Sequence, residues 1–130
     1  MRVLIVEDDA DNGEILRELF EAEGLEVAWA RTGQEAIDLL GPDRFGAALV
    51  DVSLPDLDGA AVLFALRRAL PRAQLALVTG FPLATLDADL RRLADRIFEK
   101  PADPETLLAY VRAAGEARRE GAVDASPPPA

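Results

Sequence analysis

The sequence predicts a single α/β domain built on a doubly wound, five-stranded parallel sheet. Short apolar runs alternate with amphipathic stretches five times along the chain. Three of those runs, Val3–Val6, Ala47–Val50 and Leu75–Val78, are apolar at every position, which is how a strand covered on both faces reads. The stretches between them repeat their apolar residues at helical spacing. Parallel strands joined by helical crossovers, right-handed and lying on both faces of the sheet, satisfy both patterns.

Each element has its own justification. Val3–Val6 is the first buried strand. Residues 11–23 follow as a helix, with Ile15, Leu16, Leu19 and Phe20 on one face and Gly24 suited to the stop. Leu25–Ala30 alternates more weakly, as an edge strand does, and Trp29 within it is expected to pack and not to contact a ligand. Thr32 caps a short helix through Leu40, closed by Gly41-Pro42. Ala47–Val50 is the second buried strand, ending at Asp51. The loop VSLPDLDG leads to a helix over Ala60–Leu70 that Pro71 stops. Leu75–Val78 is the third buried strand, ending at Thr79-Gly80. Residues 83–94 have helical character, Arg96–Phe98 forms a short strand, and a last helix runs from about Pro104 to Arg118. One domain over residues 1–118 is expected, with a disordered Pro-rich tail over 119–130.

Composition removes several kinds of function. A formal net charge of −10 disfavours direct binding to nucleic acid or to an anionic membrane. The chain has no cysteine and no histidine, so it offers neither a disulfide framework, nor the usual zinc ligands, nor the commonest general base. No apolar run approaches the ~20 residues of a membrane span, and Met1-Arg2 leads straight into a strand without a signal-peptide profile. A cytoplasmic protein is expected.

What remains is a question about charge. The first strand ends in Glu7, Asp8 and Asp9, and two unit charges about 4 Å apart repel by roughly 4 kcal/mol at an effective dielectric of ~20. Splayed on a solvated turn, such acids need no further account. The other strand ends supply one. In an open parallel sheet, ligands bind outside the carboxyl ends of the strands, where the strand order reverses. Those ends carry Glu7-Asp8-Asp9, Asp51, Thr79 and Lys100-Pro101. Carboxylates suit a hard cation such as Mg²⁺, which takes oxygen ligands and keeps several waters. A hydroxyl and an ammonium facing it across Asp51 would hold a phosphoryl group. Lys100 is also the only lysine beside thirteen arginines, and a compact ammonium is not interchangeable with a planar guanidinium in such a site. Crowding in one pocket is expected to raise at least one carboxyl pKa by mutual repulsion.

The set VEDD (residues 6–9), DVSLPDLDG (51–59), LVTG (77–80) and EKP (99–101) resembles the receiver domain of two-component response regulators. Each piece alone is weak; the spacing, 43 residues from Asp8 to Asp51, 28 more to Thr79 and 21 more to Lys100, makes the set specific. The resemblance implies a flavodoxin-like (βα)5 fold with strand order 2-1-3-4-5. It implies Asp51 as phosphoacceptor, with Mg²⁺ bound by Asp8, by Asp51, by Glu7 through water and by the main-chain carbonyl of Ser53. Thr79 stands at the switch hydroxyl, and Lys100 pairs with the phosphoryl group, its peptide to Pro101 cis. Pro55 and Gly59 match turn positions, Gly80 leaves room beside the site, and Asp9 is a flanking acid. The implied partners are a sensor histidine kinase or histidine phosphotransfer protein, and an unknown downstream protein. With nothing after the last helix but the tail, a single-domain response regulator that self-phosphorylates from donors, and is otherwise no enzyme, is expected; an output domain beyond the Pro-rich tail, outside this sequence, is the other explanation.

The match loosens in two places. The family commonly has an aromatic three residues before its lysine, where this chain has Ile97 followed by Phe98; a switch without that aromatic is expected rather than a slipped register. Residues 81–96 lack a glycine common at the end of the fourth helix, Leu93 standing there. Three rival readings fit the residues less well. Intact Asp51, Thr79 and Lys100 argue against a binding module that never accepts phosphate. A haloacid-dehalogenase-like phosphatase would place a second acid two residues after its nucleophile, where Ala10 follows Asp8. A flavodoxin would need a phosphate-cradling first loop, which three acids would repel.

Overall fold

Among the described residues five strands and five α-helices alternate: β1 (Arg2–Val6), α1 (Ala10–Ala22), β2 (Glu26–Ala30), α2 (Gly33–Asp38), β3 (Ala47–Asp51), α3 (Gly59–Ala69), β4 (Gln74–Thr79), α4 (Ala88–Leu93), β5 (Arg96–Glu99) and α5 (Pro104–Asp124). The computed structural model describes residues 1–41, 45–52, 59–82, 84, 86 and 88–124, with side chains as far as residue 117. All four strand pairings are parallel, and the order is β2-β1-β3-β4-β5, as the sequence predicts. No helix among the described residues is long and apolar enough to cross a membrane.

The period-2 geometry of a strand sorts the apolar runs onto two faces. Leu4, Val6, Ala48, Val50, Leu75 and Leu77 pack against α2, α3 and α4 through Ala36, Val62, Leu63, Leu66 and Leu90. Val3, Ile5, Ala47, Leu49, Ala76 and Val78 pack against α1 and α5 through Leu16, Phe20, Leu107, Leu108 and Val111. Full burial of side chains such as Phe20, Leu4 and Leu63 contributes roughly 1.5–3 kcal/mol each relative to exposure. β2 and β5 are the partly exposed edges.

Local chemistry sets the helix ends. Asp9 caps α1 by accepting the Asn12 N–H. The helix closes at Gly24, whose φ of 86° is available to glycine without strain; the Leu25 N–H reaches back to the Phe20 carbonyl there. Thr32 caps α2 through the Glu35 N–H, while the Glu35 carboxylate accepts the Arg31 N–H. Three elements depart from expectation. α2 ends at Asp38, two residues short of Leu40. Within the helical region expected over 83–94, the described α-helix is Ala88–Leu93, anchored by buried Leu90; residues 83, 85 and 87 lie outside the described residues. α5 runs six residues past Arg118, so residues 119–124, expected in the tail, continue the helix. Arg119, Glu120 and Ala122 propagate a helix well, while Gly121 opposes at about 1 kcal/mol and Val123 and Asp124 by less. The rest of the expected tail, 125–130, lies outside the described residues.

One contact set ties α3, β4 and β5 together across long sequence separations. Arg67 donates to the Ala73 carbonyl at 3.1 Å and to Asp95 Oδ2 at 2.7 Å, and the same Asp95 oxygen accepts the Leu75 N–H at 2.8 Å. Asp95 therefore serves a main-chain donor at the start of β4 as well as a guanidinium. Asp95→Ala leaves that partly buried N–H without its acceptor and is expected to lower the unfolding free energy by about 1–3 kcal/mol in urea denaturation. A loss within a few tenths of a kcal/mol would show the contact to be a solvated surface pair.

Candidate functional site

The parallel ladder runs one residue beyond the strands and so aims their ends at one rim. Glu7 donates its N–H to the Ala30 carbonyl at 3.0 Å, Val52 to Val78 at 3.2 Å and Lys100 to Thr79 at 2.6 Å. Asp51 closes β3 and Thr79 closes β4, while Glu7 and Lys100 follow β1 and β5 directly. Lys100 Nζ donates to Asp51 Oδ2 at 2.9 Å. Glu7, Asp8 and Asp51 each present a carboxylate oxygen, all within 4.8 Å of one another. Glu7 and Asp51 are only 6% and 3% exposed. The Lys100–Pro101 peptide is cis.

This donor set fits a hard divalent cation. An octahedral ion with oxygens at about 2.1 Å spaces neighbouring oxygens ~3 Å apart and opposite ones ~4.2 Å, so modest closure suffices. When ionised, the three acids outnumber the single ammonium among them, and a dication offsets that excess. A cavity of about 510 Å³, lined by Glu7, Asp51 and Lys100 and continuing between Ile15 on α1 and Pro104 on α5, leaves room for bound water and a phosphoryl group.

The remaining predicted residues fall into place or move aside. Asp9, the flanking acid, is the α1 cap, and its N–H donates to Glu7 Oε2 at 3.1 Å. Thr79, fully buried, accepts the Phe81 N–H on Oγ1 at 2.8 Å. Ile97 pairs with Leu77 and packs toward α4, while Phe98 turns to the opposite face and meets Tyr110 edge-on at 5.5 Å; the β5 register does not slip. Gly59 opens α3 where an added Cβ would stand 3.3 Å from the Val52 carbonyl oxygen. At Gly80 a Cβ would meet Lys100 Cδ only at 4.0 Å, so bulk alone does not require glycine there. Ser53 and Pro55 lie outside the described residues. Sequence reasoning missed the second role of Trp29, which packs as expected but also donates its indole N–H to the Glu7 carbonyl at 2.9 Å.

One carboxyl is indeed perturbed, although repulsion is not the leading reason. Burial pushes Glu7 up from 4.5 to about 7; a hydrogen bond to Asp51 and the charge of Asp51 add to it, against the Asp9 N–H and the Lys100 charge. For Lys100, burial works to lower the ammonium pKa. The hydrogen bond and charge of Asp51, with the charges of Glu7 and Asp8, outweigh it, and the net shift is upward.

A raised carboxyl pKa fixes a sign. Below about 4.5 Glu7 is protonated in both the folded and unfolded chains, and its contribution is fully present. Between 4.5 and about 7 the folded protein keeps a proton that the unfolded chain releases, so stability is lost as pH rises through that window. Urea unfolding of the metal-free protein is expected to show this decline, and Glu7→Gln to flatten it. An unchanged slope in the variant would assign the proton to another group.

Comparison with known proteins agrees with this arrangement. The family model described as the response regulator receiver domain matches residues 3–112. Response regulator MprA of Mycolicibacterium vanbaalenii is 36% identical over 118 residues, covering 87% of this chain and 49% of that protein. The chain spans about half the length of the curated relatives it matches. A response regulator from Burkholderia pseudomallei, solved with a phosphorylated aspartic acid, a calcium ion and citrate, is 28% identical with a TM-score of 0.76 over 95% of this chain and 74% of that one. TrrA from Thermotoga maritima, solved in complex with Mg²⁺-BeF, is 25% identical with a TM-score of 0.75 over 87% and 97% of the two chains. Matched over nearly its whole sheet-and-helix core, the chain belongs to the response regulator receiver domain family.

Proposed function

We propose that this domain accepts a phosphoryl group on Asp51 from the phosphohistidine of a sensor histidine kinase or a histidine phosphotransfer protein in the cytoplasm, and thereby switches its binding to a downstream protein. The observation that carries the reading is the buried Asp51 carboxylate, held 2.9 Å from Lys100 Nζ and clustered within 4.8 Å of Glu7 and Asp8 oxygens. Glu7, Asp8, Asp51 and the Ser53 carbonyl would hold Mg²⁺. When bound, the ion neutralises charge on the transferring phosphoryl oxygens.

The chain's own groups do the rest. An Asp51 oxygen attacks phosphorus in line, the P–O bond forms, the donor's P–N bond breaks, and the imidazole leaves to regain a proton. With no histidine of its own, the chain relies on a donor in trans. Lys100 transfers its hydrogen bond from the carboxylate to a phosphoryl oxygen, a motion that an ammonium on a flexible stem allows. Thr79 swings its hydroxyl toward the same group and gives up the Phe81 N–H. Water later attacks phosphorus and restores the carboxylate, releasing inorganic phosphate. These self-directed steps are the whole of its catalysis. The net charge of −10 favours a protein partner over direct contact with nucleic acid.

A small acyl phosphate donor with Mg²⁺ is expected to add one phosphate, read by intact mass and lost in base, and Asp51→Asn to abolish it. Equal labelling of the Asn variant would place the acceptor elsewhere. A separate test addresses the cation. Asp8→Asn removes one like charge at nearly constant shape, so the metal-free protein is expected to gain on the order of 1 kcal/mol in thermal unfolding. Millimolar Mg²⁺ is expected to stabilise the wild type by binding the native state and to leave the variant almost unmoved. A variant that still gains as much from Mg²⁺ would reduce the cluster to a solvated turn.

A further inference from the structure

Consecutive residues on a strand send their side chains to opposite faces. Glu7 and Asp8 nevertheless bring oxygens to the same place as Asp51. The peptide between them must therefore leave strand geometry and be held there while like charges push the side chains apart. Peptide orientation decides where both carboxylates point, and the hydrogen bonds to that peptide identify what holds it.

The Glu7 N–H stays in the sheet, bonded to the Ala30 carbonyl. The Glu7 carbonyl accepts the Trp29 indole N–H from β2 at 2.9 Å. The next carbonyl, that of Asp8, accepts Arg31 Nη2 at 3.3 Å. The indole is itself fixed. α1 approaches it at Gly13, where an added Cβ would stand 2.0 Å from a ring carbon, so the ring lies directly against that helix's main chain. The guanidinium carbons of Arg17 and Arg31 each sit 5.7 Å from the ring centre. Filling the space beside Gly13 needs only a flat apolar ring. The N–H adds something that packing does not require: a directed bond to the peptide joining the two acids.

Building on the proposed cation site, we infer that Trp29 is a positioning residue for the acid pair: its indole N–H fixes the Glu7–Asp8 peptide so that both carboxylates converge on the ion. The edge strand β2, which contributes none of the clustered carboxylates, thus sets the geometry of the acids on β1. Arg31 is a weaker second brace on the same turn.

The test is calorimetric titration with MgCl₂ of the wild type, Trp29→Phe, Arg31→Ala and Val111→Ala, beside urea unfolding of each without metal. Trp29→Phe keeps a ring against Gly13 and deletes the donor, and is expected to weaken Mg²⁺ binding about tenfold, as loss of a group that orients a ligand does. Arg31→Ala is expected to weaken it about twofold. Val111→Ala destabilises the buried face of α5 away from the acids and is expected to leave Mg²⁺ affinity unchanged. The only tryptophan of the chain also gives a readout in the intact protein: Mg²⁺ is expected to change wild-type indole emission, and to do so no longer in Asp8→Asn. Wild-type affinity in Trp29→Phe, or a loss matched by Val111→Ala, or emission indifferent to Mg²⁺, would overturn the inference while leaving the cation site standing. A wild type that binds no Mg²⁺ at millimolar concentration would instead overturn the cation site itself, and this role with it.

Discussion

Everything at the rim follows from the parallel alignment of β1, β3, β4 and β5. In an antiparallel sheet, alternate strands would deliver their last residues to opposite edges, and Glu7, Asp51, Thr79 and Lys100 could not meet. Here the ladder places Asp51 beside Val78 and Thr79 beside Glu99. Because the central strands are covered on both faces, the registers that keep these partners together also keep the apolar core buried. A slip of one residue would expose Leu4 and Val6 to the wrong helices as surely as it would scatter the acids. Fold stability and site geometry are thus the same alignment seen at two points along the strands.

That alignment has a cost, and the molecule distributes it. Three carboxylates crowd a site of low exposure, and one ammonium does not balance them. In the metal-free state burial and the neighbouring Asp51 raise the Glu7 pKa to about 7, so its proton is held into the neutral range. Lys100 holds Asp51 directly. Other groups carry the remainder: the Asp9 N–H reaches back to Glu7, and the side chains of Trp29 on β2 and of Arg31 just after it hold the turn from outside. The result is a pocket that is held together without a cation and whose donor set suits one.

The sequence made the sheet legible because burial on both faces leaves runs such as LALV with no polar position to blur them. It made the rim legible because chemistry sits at strand ends, where Asp51, Thr79 and Lys100 interrupt or follow apolar runs. What it could not display were contacts without period. Trp29 reaches Glu7 across 22 residues and Arg67 reaches Asp95 across 28; both are side chains meeting the main chain or a single acid, and no spacing announces them. The length of α5 is hidden for a different reason. Propensity carries α5 through a glycine that reads as a stop. Asp9 illustrates the limit within the motif itself, since cap and ligand draw on the same residue type.

The scarcity of lysine has a practical side. Apart from the α-amino group, the chain holds one primary amine, and that amine is engaged by Asp51 with its pKa raised. Acylating or carbonyl reagents that select for free amines meet, within this fold, a nucleophile whose lone pair is occupied by a proton that the acids retain. Whatever draws Asp51 away from Lys100 changes that proton's hold. The rate at which Lys100 is covalently modified is therefore a chemical gauge of the ion pair, read at a single side-chain atom. Thirteen arginines, inert to the same reagents, supply the silent background.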